Sequence, residues 1–354
     1  GRGDTSAGTT GVPRTGHAGE STLTIDSNRS FFDGAKVLVT GGLGFIGSNL
    51  ARRLVELGSE VLVVDSMTPN TGANLANLKD IEHKLDIRTV DLRDAEAVAS
   101  LVPGHDVVFN LAGKSSHIDS MTDPMADLAS NVHAHLVLLE ACRRSIPNAR
   151  IVFSSTRQIY GRPDYCPVDE HHPVHPIDVN GINKAAGEGY HSLFNRVYDL
   201  NTISLRLTNT FGPRMRIKDA RQNFLGIWMR RVVENGVFEV WGGQQKRDLT
   251  FIADAVDAFL AAAACPIPEH RIFNLGGSAT VTLADLGKLL VEVAGTGQFE
   301  IKQFPAERLR IDLGDYFTDD ALFRKTTGWE PKVSLRDALA TTVAYYREHM
   351  GHYV

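Results

Sequence analysis

Short apolar runs alternate along the chain with longer stretches in which apolar residues recur at helical spacing, beginning at residue 35. The apolar runs are KVLVT, EVLVVD, IRTVDL, DVVFNLAG and RIVFSST. They are rich in β-branched residues, which is typical of strands buried on both faces of a parallel sheet. The stretches between them include NLARRLVELG and LASNVHAHLVLLEACRR, which have the periodicity of amphipathic helices. This alternation predicts an α/β fold with a doubly wound parallel sheet and a ligand site at the carboxyl ends of its strands.

Three glycines spaced three apart follow the first predicted strand and directly precede a helical stretch: Gly41, Gly44 and Gly47. The first permits a tight turn, the second lets the backbone approach a pyrophosphate, and the third lets helix and strand pack closely. The start of the helix offers N–H groups to phosphates. The spacing and its context therefore predict a dinucleotide-binding turn.

The second predicted strand ends at Asp65, where a carboxylate can accept hydrogen bonds from both ribose hydroxyls of the adenosine. The same carboxylate would repel a 2′-phosphate. Because Ser66 and Met67 follow it rather than arginine, the sequence favours NAD over NADP, with Arg88 and Arg93 as the nearby residues that could change this preference.

Composition excludes several classes of partner. The 354 residues carry a net charge of −5, which provides no basic surface for nucleic acid or anionic lipid. The apolar runs are too short to cross a bilayer, so no membrane association is expected. Cys142, Cys166 and Cys265 are widely spaced and fit neither a disulfide framework nor a zinc knuckle, which indicates reduced thiols in a cytoplasmic protein.

A histidine-rich segment, EHHPVHP, carries His171, His172 and His175. Three histidines could bind zinc, but Pro173 and Pro176 prevent the helix that would align them. We expect a polar loop near the site and no metal.

The first thirty or so residues are rich in Gly, Ser and Thr and lack the apolar core of a signal peptide. We expect residues 1–33 to form a flexible arm, either native or added by cloning. The RGD triplet at residues 2–4 could bind an adhesion receptor, but the rest of the chain has the character of an intracellular protein.

Several longer motifs resemble the extended short-chain dehydrogenase/reductase family, in its nucleotide-sugar epimerase and dehydratase branch, over roughly residues 35 to 348. These motifs are TGGLGFIGS, VDLRD, NLAGKSSHIDS, FSSTRQIYG, LRLTNTFGPR, QKRDLTFIADAVDAFL, FNLGG and GWEPKVSLRDAL. The resemblance implies a Rossmann-like NAD-binding domain at 34–208. It implies a smaller C-terminal α/β domain at 209–354 that mainly binds the substrate, with some chain crossing back to the first domain. The implied cofactor-binding residues are Gly41, Gly44, Phe45, Ile46, Gly47, Asp65, Asp91, Leu92, Leu111, Ala112, Gly113 and Lys184.

The same resemblance implies a nucleotide diphosphate sugar as substrate. Asn209 matches a position near the substrate diphosphate, Arg247 matches a diphosphate-binding arginine, and Arg308 lies near another, with Arg310 as the alternative. A guanidinium suits a diphosphate because its planar fork donates two parallel hydrogen bonds. The family also implies a homodimer in which helices near 125–144 and 181–198 pair with their copies.

The active-site strand resembles the family in Thr156, which stands where a Ser or Thr contacts the reacting hydroxyl. Sugar 4,6-dehydratases usually continue with an acidic pair, whereas this chain has Arg157 and Gln158. Neither side chain can act as a general acid near neutral pH. The sequence therefore favours an epimerase that oxidises one sugar carbon transiently and then reduces it again, with dehydratase or dehydrogenase as alternatives.

The family normally uses a tyrosine with a lysine four residues later, and DVNGINKAAGE places Asn180 and Lys184 at these positions. An amide has no titrating proton, so the usual general base is missing, although Lys184 can still bind the nicotinamide ribose. The candidate replacements are His117, Lys114, Tyr160 and Lys184 itself if burial lowers its pKa. A catalytically silent protein that binds NAD and a nucleotide sugar is the alternative of another class.

Overall fold

A computed structural model of the chain describes residues 28–221, 223–304 and 312–354. Residues 1–27 of the expected arm, including the RGD triplet, lie outside these ranges, and residues 28–32 are helical. Seven strands form one fully parallel sheet in the order β10-β6-β5-β4-β1-β2-β3. These strands are β1 (Lys36–Thr40), β2 (Glu60–Asp65), β3 (Asp86–Thr89), β4 (Val107–Asn110), β5 (Arg150–Thr156), β6 (Asn201–Leu207) and β10 (Ile272–Leu275). The predicted Rossmann-like α/β fold is confirmed.

The sheet separates two hydrophobic layers because successive strand residues point to opposite faces. In β1, Val37 and Val39 pack into one layer while Leu38 packs into the other. All three side chains are buried, which explains the near-continuous apolar runs in the sequence.

Helices cover both faces of the sheet. In chain order they are α1 (Phe45–Glu56), α2 (Ala95–Leu101), α3 (His117–Thr122), α4 (Pro124–Leu128), α5 (Ala134–Ser145), α6 (Val179–Tyr198), α7 (Phe224–Val233), α8 (Ile252–Ala264), α9 (Leu283–Ala294), α10 (Ala321–Thr327) and α11 (Leu335–His349). A π-helical turn at Ala129–His133 joins α4 to α5. The longest helix, α6, begins where the Asp178 carboxylate accepts a hydrogen bond from the backbone N–H of Gly181.

Two small sheets stand beside the large one. The first has the order β11-β9-β7 and the second pairs β12 with β8. Their strands are β7 (Asn209–Phe211), β8 (Val237–Trp241), β9 (Lys246–Phe251), β11 (Thr280–Thr282) and β12 (Gln298–Lys302). Because β10 lies in the large sheet, the chain returns to that sheet after forming β7, β8 and β9.

Within the described ranges, no helix is both long enough and apolar enough to cross a membrane. The strand order of the large sheet reverses at β1, because β2 and β4 pair with opposite edges of that strand. In an open parallel sheet this reversal opens a crevice at the carboxyl ends of the strands.

Candidate active site

A cavity of about 300 Å³ occupies this crevice. Its lining comes from the glycine-rich turn after β1 and from the ends of β2, β4, β5 and β6. The sequence-predicted residues that line it are Gly41, Gly44, Phe45, Ile46, Gly47, Asp65, Asp91, Leu92, Leu111, Ala112, Gly113, Lys114, Thr156, Lys184 and Asn209. The fold thus brings most of the predicted site together.

The glycine-rich turn has no room for side chains. Gly41 has φ +64°, and a Cβ on it would lie 2.9 Å from the backbone of Ala112. A Cβ on Gly47 would lie 2.3 Å from the carbonyl oxygen of Gly41. No side chain caps the start of α1. The backbone therefore forms a bare cradle whose helix N-terminus suits a pyrophosphate.

Asp65 closes one side of this cradle. One carboxylate oxygen accepts the N–H of Leu43 at 3.2 Å, and the other accepts the N–H of Met67 at 2.9 Å. Burial raises the pKa of Asp65, and these backbone hydrogen bonds oppose the rise. Each oxygen keeps a lone pair for a further donor such as a ribose hydroxyl.

The two arginines that could have favoured a 2′-phosphate are both engaged by carboxylates. Arg93 lines the cavity and binds the side chain of Asp91, while Arg88 forms an ion pair with Asp86 at 2.6 Å. The Arg93 guanidinium lowers the pKa of Asp91. Both guanidinium groups therefore already have carboxylate partners.

The loop after β4 approaches the cavity through Gly113, whose φ is +151°. A Cβ there would lie 2.5 Å from Asn131 and 3.3 Å from the Lys184 amine. Asn131 also holds the neighbouring Lys114 backbone by two hydrogen bonds, at 3.2 Å to its N–H and 3.1 Å to its carbonyl. Gly113 therefore allows this loop to lie directly against Lys184.

Lys184 is buried and lines the cavity. Its amine donates to the carbonyl of Ser154 at 3.2 Å and lies 5.3 Å from the centre of the Phe153 ring. Burial lowers the pKa of Lys184 to about 8, although the nearby Asp127 carboxylate opposes the shift. A substantial neutral fraction of this amine is therefore present near pH 8.

Asn180 is buried and does not line the cavity. Its amide nitrogen donates to the carbonyl of Lys114 at 2.8 Å and to the carboxylate of Asp127 at 3.1 Å. Asn183 donates to the other oxygen of Asp127 at 2.8 Å. Both amide hydrogens of Asn180 are thus used to hold the loop and a buried carboxylate.

His117 lies outside the cavity lining. Its Nδ1 contacts the Asp178 carboxylate, and its Nε2 contacts the side-chain nitrogen of Gln158. Burial opposes ionisation of Asp178, but the contact with His117 and the backbone hydrogen bond from Gly181 lower its pKa. Because Gln158 lines the cavity, this amide stands between His117 and any ligand there.

The strand end carries Thr156, whose hydroxyl oxygen accepts the N–H of Gln158 at 3.3 Å. This leaves the hydroxyl hydrogen available to a ligand. Arg157 and Gln158 also line the cavity. The Arg157 guanidinium donates to the Asn209 side-chain oxygen at 3.3 Å and lies 4.7 Å from the centre of the Tyr316 ring.

Arg247 is buried but stands behind the lining. It donates to the backbone carbonyls of Lys246, at 2.8 Å, and Gly314. Burial and the neighbouring Arg157 charge lower the pKa of Arg247 to about 10. Arg308 and Arg310 lie outside the described residues.

Tyr160, one candidate base, is fully buried and donates to Asn274 at 2.6 Å. Burial raises its pKa to about 12, so it is committed to the core. In the histidine-rich segment, His172 accepts the N–H of Asp164 at 2.8 Å. The described part of the chain holds no group of three or more side chains arranged to bind a metal ion.

Sequence reasoning missed three residues that organise the site: Asp127, Asn131 and Asn183. In the sequence, Asp127 is one acidic residue in the segment PMADL, and only the structure shows that it is buried while Met125 and Leu128 are exposed. The sequence therefore carries no signal that marks Asp127 or the two asparagines as site residues.

A family model described as the NAD dependent epimerase/dehydratase family matches residues 37–276. The UDP-glucose 4-epimerase of Mycolicibacterium smegmatis is 30% identical over 314 residues, which cover 88% of this chain and 98% of that protein. The crystal structure of UDP-glucose 4-epimerase with UDP-glucose from Thermotoga maritima is 30% identical, with a TM-score of 0.81 and coverage of 89% and 99%. The Thermus thermophilus UDP-glucose 4-epimerase complex with NAD is 28% identical, with a TM-score of 0.77 and coverage of 88% and 99%.

Proposed function

Because the chain belongs to the NAD dependent epimerase/dehydratase family, we propose that it is a nucleotide-sugar epimerase whose proton acceptor is Lys184 instead of a tyrosine. The observation that carries the proposal is the buried Lys184 amine, which lines the cavity and has its pKa lowered to about 8. Similarity to UDP-glucose 4-epimerases supports a uridine nucleotide sugar as substrate.

The cofactor is NAD, and the cavity fits it. The bare turn at Gly41, Gly44 and Gly47 accepts a pyrophosphate, and Asp65 offers its oxygens to a ribose. The chemistry that bound NAD would supply at this site is reversible hydride transfer with the sugar.

The chain's own residues manage the proton. We assign Thr156 to orient the reacting hydroxyl through its own hydroxyl group, and neutral Lys184 to take the hydroxyl proton at Nζ. The resulting ammonium is stabilised by the Ser154 carbonyl and by the Asp127 charge, and it returns the proton when the ketone is reduced. We place Asn180 at the position of the family tyrosine, where its bonds to Lys114 and Asp127 make it a positioning residue.

The alternatives account for fewer of these contacts. A 4,6-dehydratase needs a titrating pair after Thr156, and Arg157 and Gln158 do not supply one. His117 contacts Gln158, which lies between it and the cavity, and the Gln158 amide has no titrating proton to pass on. A protein that only binds its ligands would need neither the Thr156 hydroxyl at the reacting group nor a Lys184 amine whose pKa is lowered.

Incubation with UDP-glucose, UDP-galactose and their N-acetylated and uronate forms tests the proposal. Proton NMR should show one sugar converting to its C4 epimer without net NADH formation. Conversion to a keto-deoxy sugar would support the dehydratase, steady NADH accumulation would support the dehydrogenase, and retained NAD binding without any conversion would support the silent protein.

We expect Asp65→Ala to weaken NAD binding by about 10- to 150-fold for each charge-assisted ribose bond lost. The NAD affinity of Asp65→Asn should lie between those of the unaltered protein and Asp65→Ala, because asparagine keeps one acceptor oxygen. Isothermal titration with NAD and with NADP measures these affinities. Both variants lose the carboxylate charge, so both should bind NADP better relative to NAD than the unaltered protein does. Unchanged NAD affinity in Asp65→Ala would place the ribose elsewhere.

We also propose a homodimer formed through α4, α5 and α6, which contain the helical segments near 125–144 and 181–198. Met125 on α4 and Ile182 on α6 are more than half exposed, as is Met121 on the adjoining α3, and Leu193 and Val197 continue the apolar stripe along α6. Contiguous apolar surface of this kind is typical of an interface. Light scattering at micromolar concentration should give twice the chain mass of 38.7 kDa, and a monomer would contradict the proposal.

Residues 34–208 are proposed to bind the cofactor and residues 209–354 mainly the substrate. Limited proteolysis in the presence of each ligand would test this, because each ligand should protect the fragment that binds it.

A cytoplasmic location is proposed because Cys142, Cys166 and Cys265 are all free thiols. Fractionation of the native cells would test the location.

A further inference from the structure

Three polar atoms at one end of the cavity are buried and have no hydrogen-bond partner: Arg157 Nη1, Gln158 Oε1 and Asn209 Nδ2. All three residues line the cavity. Folded proteins rarely leave buried polar groups unpaired, and a cluster of them in one cavity indicates a polar ligand. Two of these atoms are donors and one is an acceptor.

Arg157 supplies a fixed positive charge at this end. Its guanidinium is held over the Tyr316 ring and by the Asn209 side-chain oxygen, as described above. Asp248 attracts it electrostatically, but the oxygens of Asp248 accept hydrogen bonds from Thr208 at 2.7 Å and Thr318 at 3.1 Å. The Arg157 and Asn209 side chains are bonded to each other, and each has one unpaired donor. Two donors on neighbouring side chains suit the two oxygens of a carboxylate.

The place of Arg157 in the chain indicates that its charge lies near the sugar of the substrate. Arg157 directly follows Thr156, which we assigned to the reacting hydroxyl. For the diphosphate, the family resemblance implies other partners, Arg247 and Arg308. Resting on the proposed function, we propose that the substrate is a nucleotide sugar whose sugar ring carries a carboxylate, and that Arg157 determines this specificity.

Titration of the NAD-loaded protein with UDP-glucuronate, UDP-glucose and UDP tests the proposal. One charge-assisted contact should make UDP-glucuronate bind about 10- to 150-fold more tightly than UDP-glucose. Arg157→Met should remove this preference while the affinities for UDP-glucose and UDP change less than about threefold. Arg157→Lys should restore part of the preference because it keeps the charge without the planar fork.

Arg336→Met is the matched control, because it removes a guanidinium from an exposed ion pair with Glu292. It should leave all three affinities unchanged, and thermal unfolding should show that both methionine variants remain folded. Equal binding of UDP-glucuronate and UDP-glucose would overturn the proposal. So would an equal loss of all three ligands in Arg157→Met, since Arg157 would then bind the diphosphate.

These outcomes are separate from those of the epimerase proposal. Binding with the uronate preference but without epimerisation would support the specificity and contradict the catalytic function. If none of the three uridine ligands bound, the proposed substrate class and this inference would both be wrong.

Discussion

Lys184→Ala is expected to lower kcat/KM for epimerisation by about 100- to 10,000-fold, the usual contribution of a general base. The amine is buried against Gly113 and donates to the Ser154 carbonyl, and alanine puts no titrating group in its place. The decisive comparison is Lys184→Arg. An arginine keeps a positive charge near the nicotinamide ribose but does not release a proton near neutral pH.

If Lys184 is the base, Lys184→Arg should lose activity to about the same extent while retaining much of the NAD affinity measured by titration. An arginine variant with nearly full activity would show that only the charge matters, and the proton acceptor would have to be another residue.

The pH dependence of the unaltered enzyme follows from the same group. A base with a pKa of about 8 is mostly protonated at pH 6, and its neutral fraction rises about tenfold per pH unit until the pH passes the pKa. The kcat/KM profile should therefore rise from pH 6 to about 8 and then level off. A plateau that already begins near pH 6 would contradict Lys184 as the base.

The structure brings together the residues that the sequence predicted for the cofactor end of the site, because their positions depend on local rules. A glycine at φ +64° and a carboxylate at the end of the next strand follow from spacing along adjacent elements. The sugar end depends on side-chain directions across distant elements. Arg157 could be recognised in the sequence as the wrong residue for a dehydratase, but not as a buried donor held by Tyr316 and Asn209.

Asn180 is a second residue whose side-chain partners could not be predicted from the sequence. Its spacing from Lys184 predicts that the two share one helix face, and both are buried on α6. Their side chains nevertheless meet different partners, because Asp127 and the Lys114 carbonyl lie within hydrogen-bond distance of Asn180. Only the packing of α4 against α6 reveals these partners, and periodicity carries no information about it.

This packing predicts that Asn180→Asp is far more damaging to stability than its nearly identical shape suggests. The substitution places a carboxylate oxygen where an amide nitrogen now lies 3.1 Å from the Asp127 carboxylate. Two buried carboxylates at this distance cannot both be charged, so the pair must hold a proton in the folded protein. Keeping an aspartate with an ordinary pKa of about 3.9 protonated at pH 7 costs roughly 4 kcal/mol.

The sign of the pH dependence distinguishes this mechanism from a packing defect. The pKa of the new carboxyl is raised by folding, so its penalty is absent below about pH 4 and grows as the pH rises toward the folded-state value. Urea unfolding at pH 4.5 and 7 should therefore show that Asn180→Asp loses much less free energy of unfolding, relative to the unaltered protein, at the lower pH.

Asn180→Ala is the control, because it removes a donor without adding charge. It should lower the free energy of unfolding by about 1 to 3 kcal/mol at both pH values. It should also slow epimerisation by less than about tenfold, since Asn180 positions the loop and does not move the proton. A deficit in Asn180→Asp that is equal at the two pH values would mean that Asp127 does not face residue 180, and the positioning role proposed for the asparagine would be wrong.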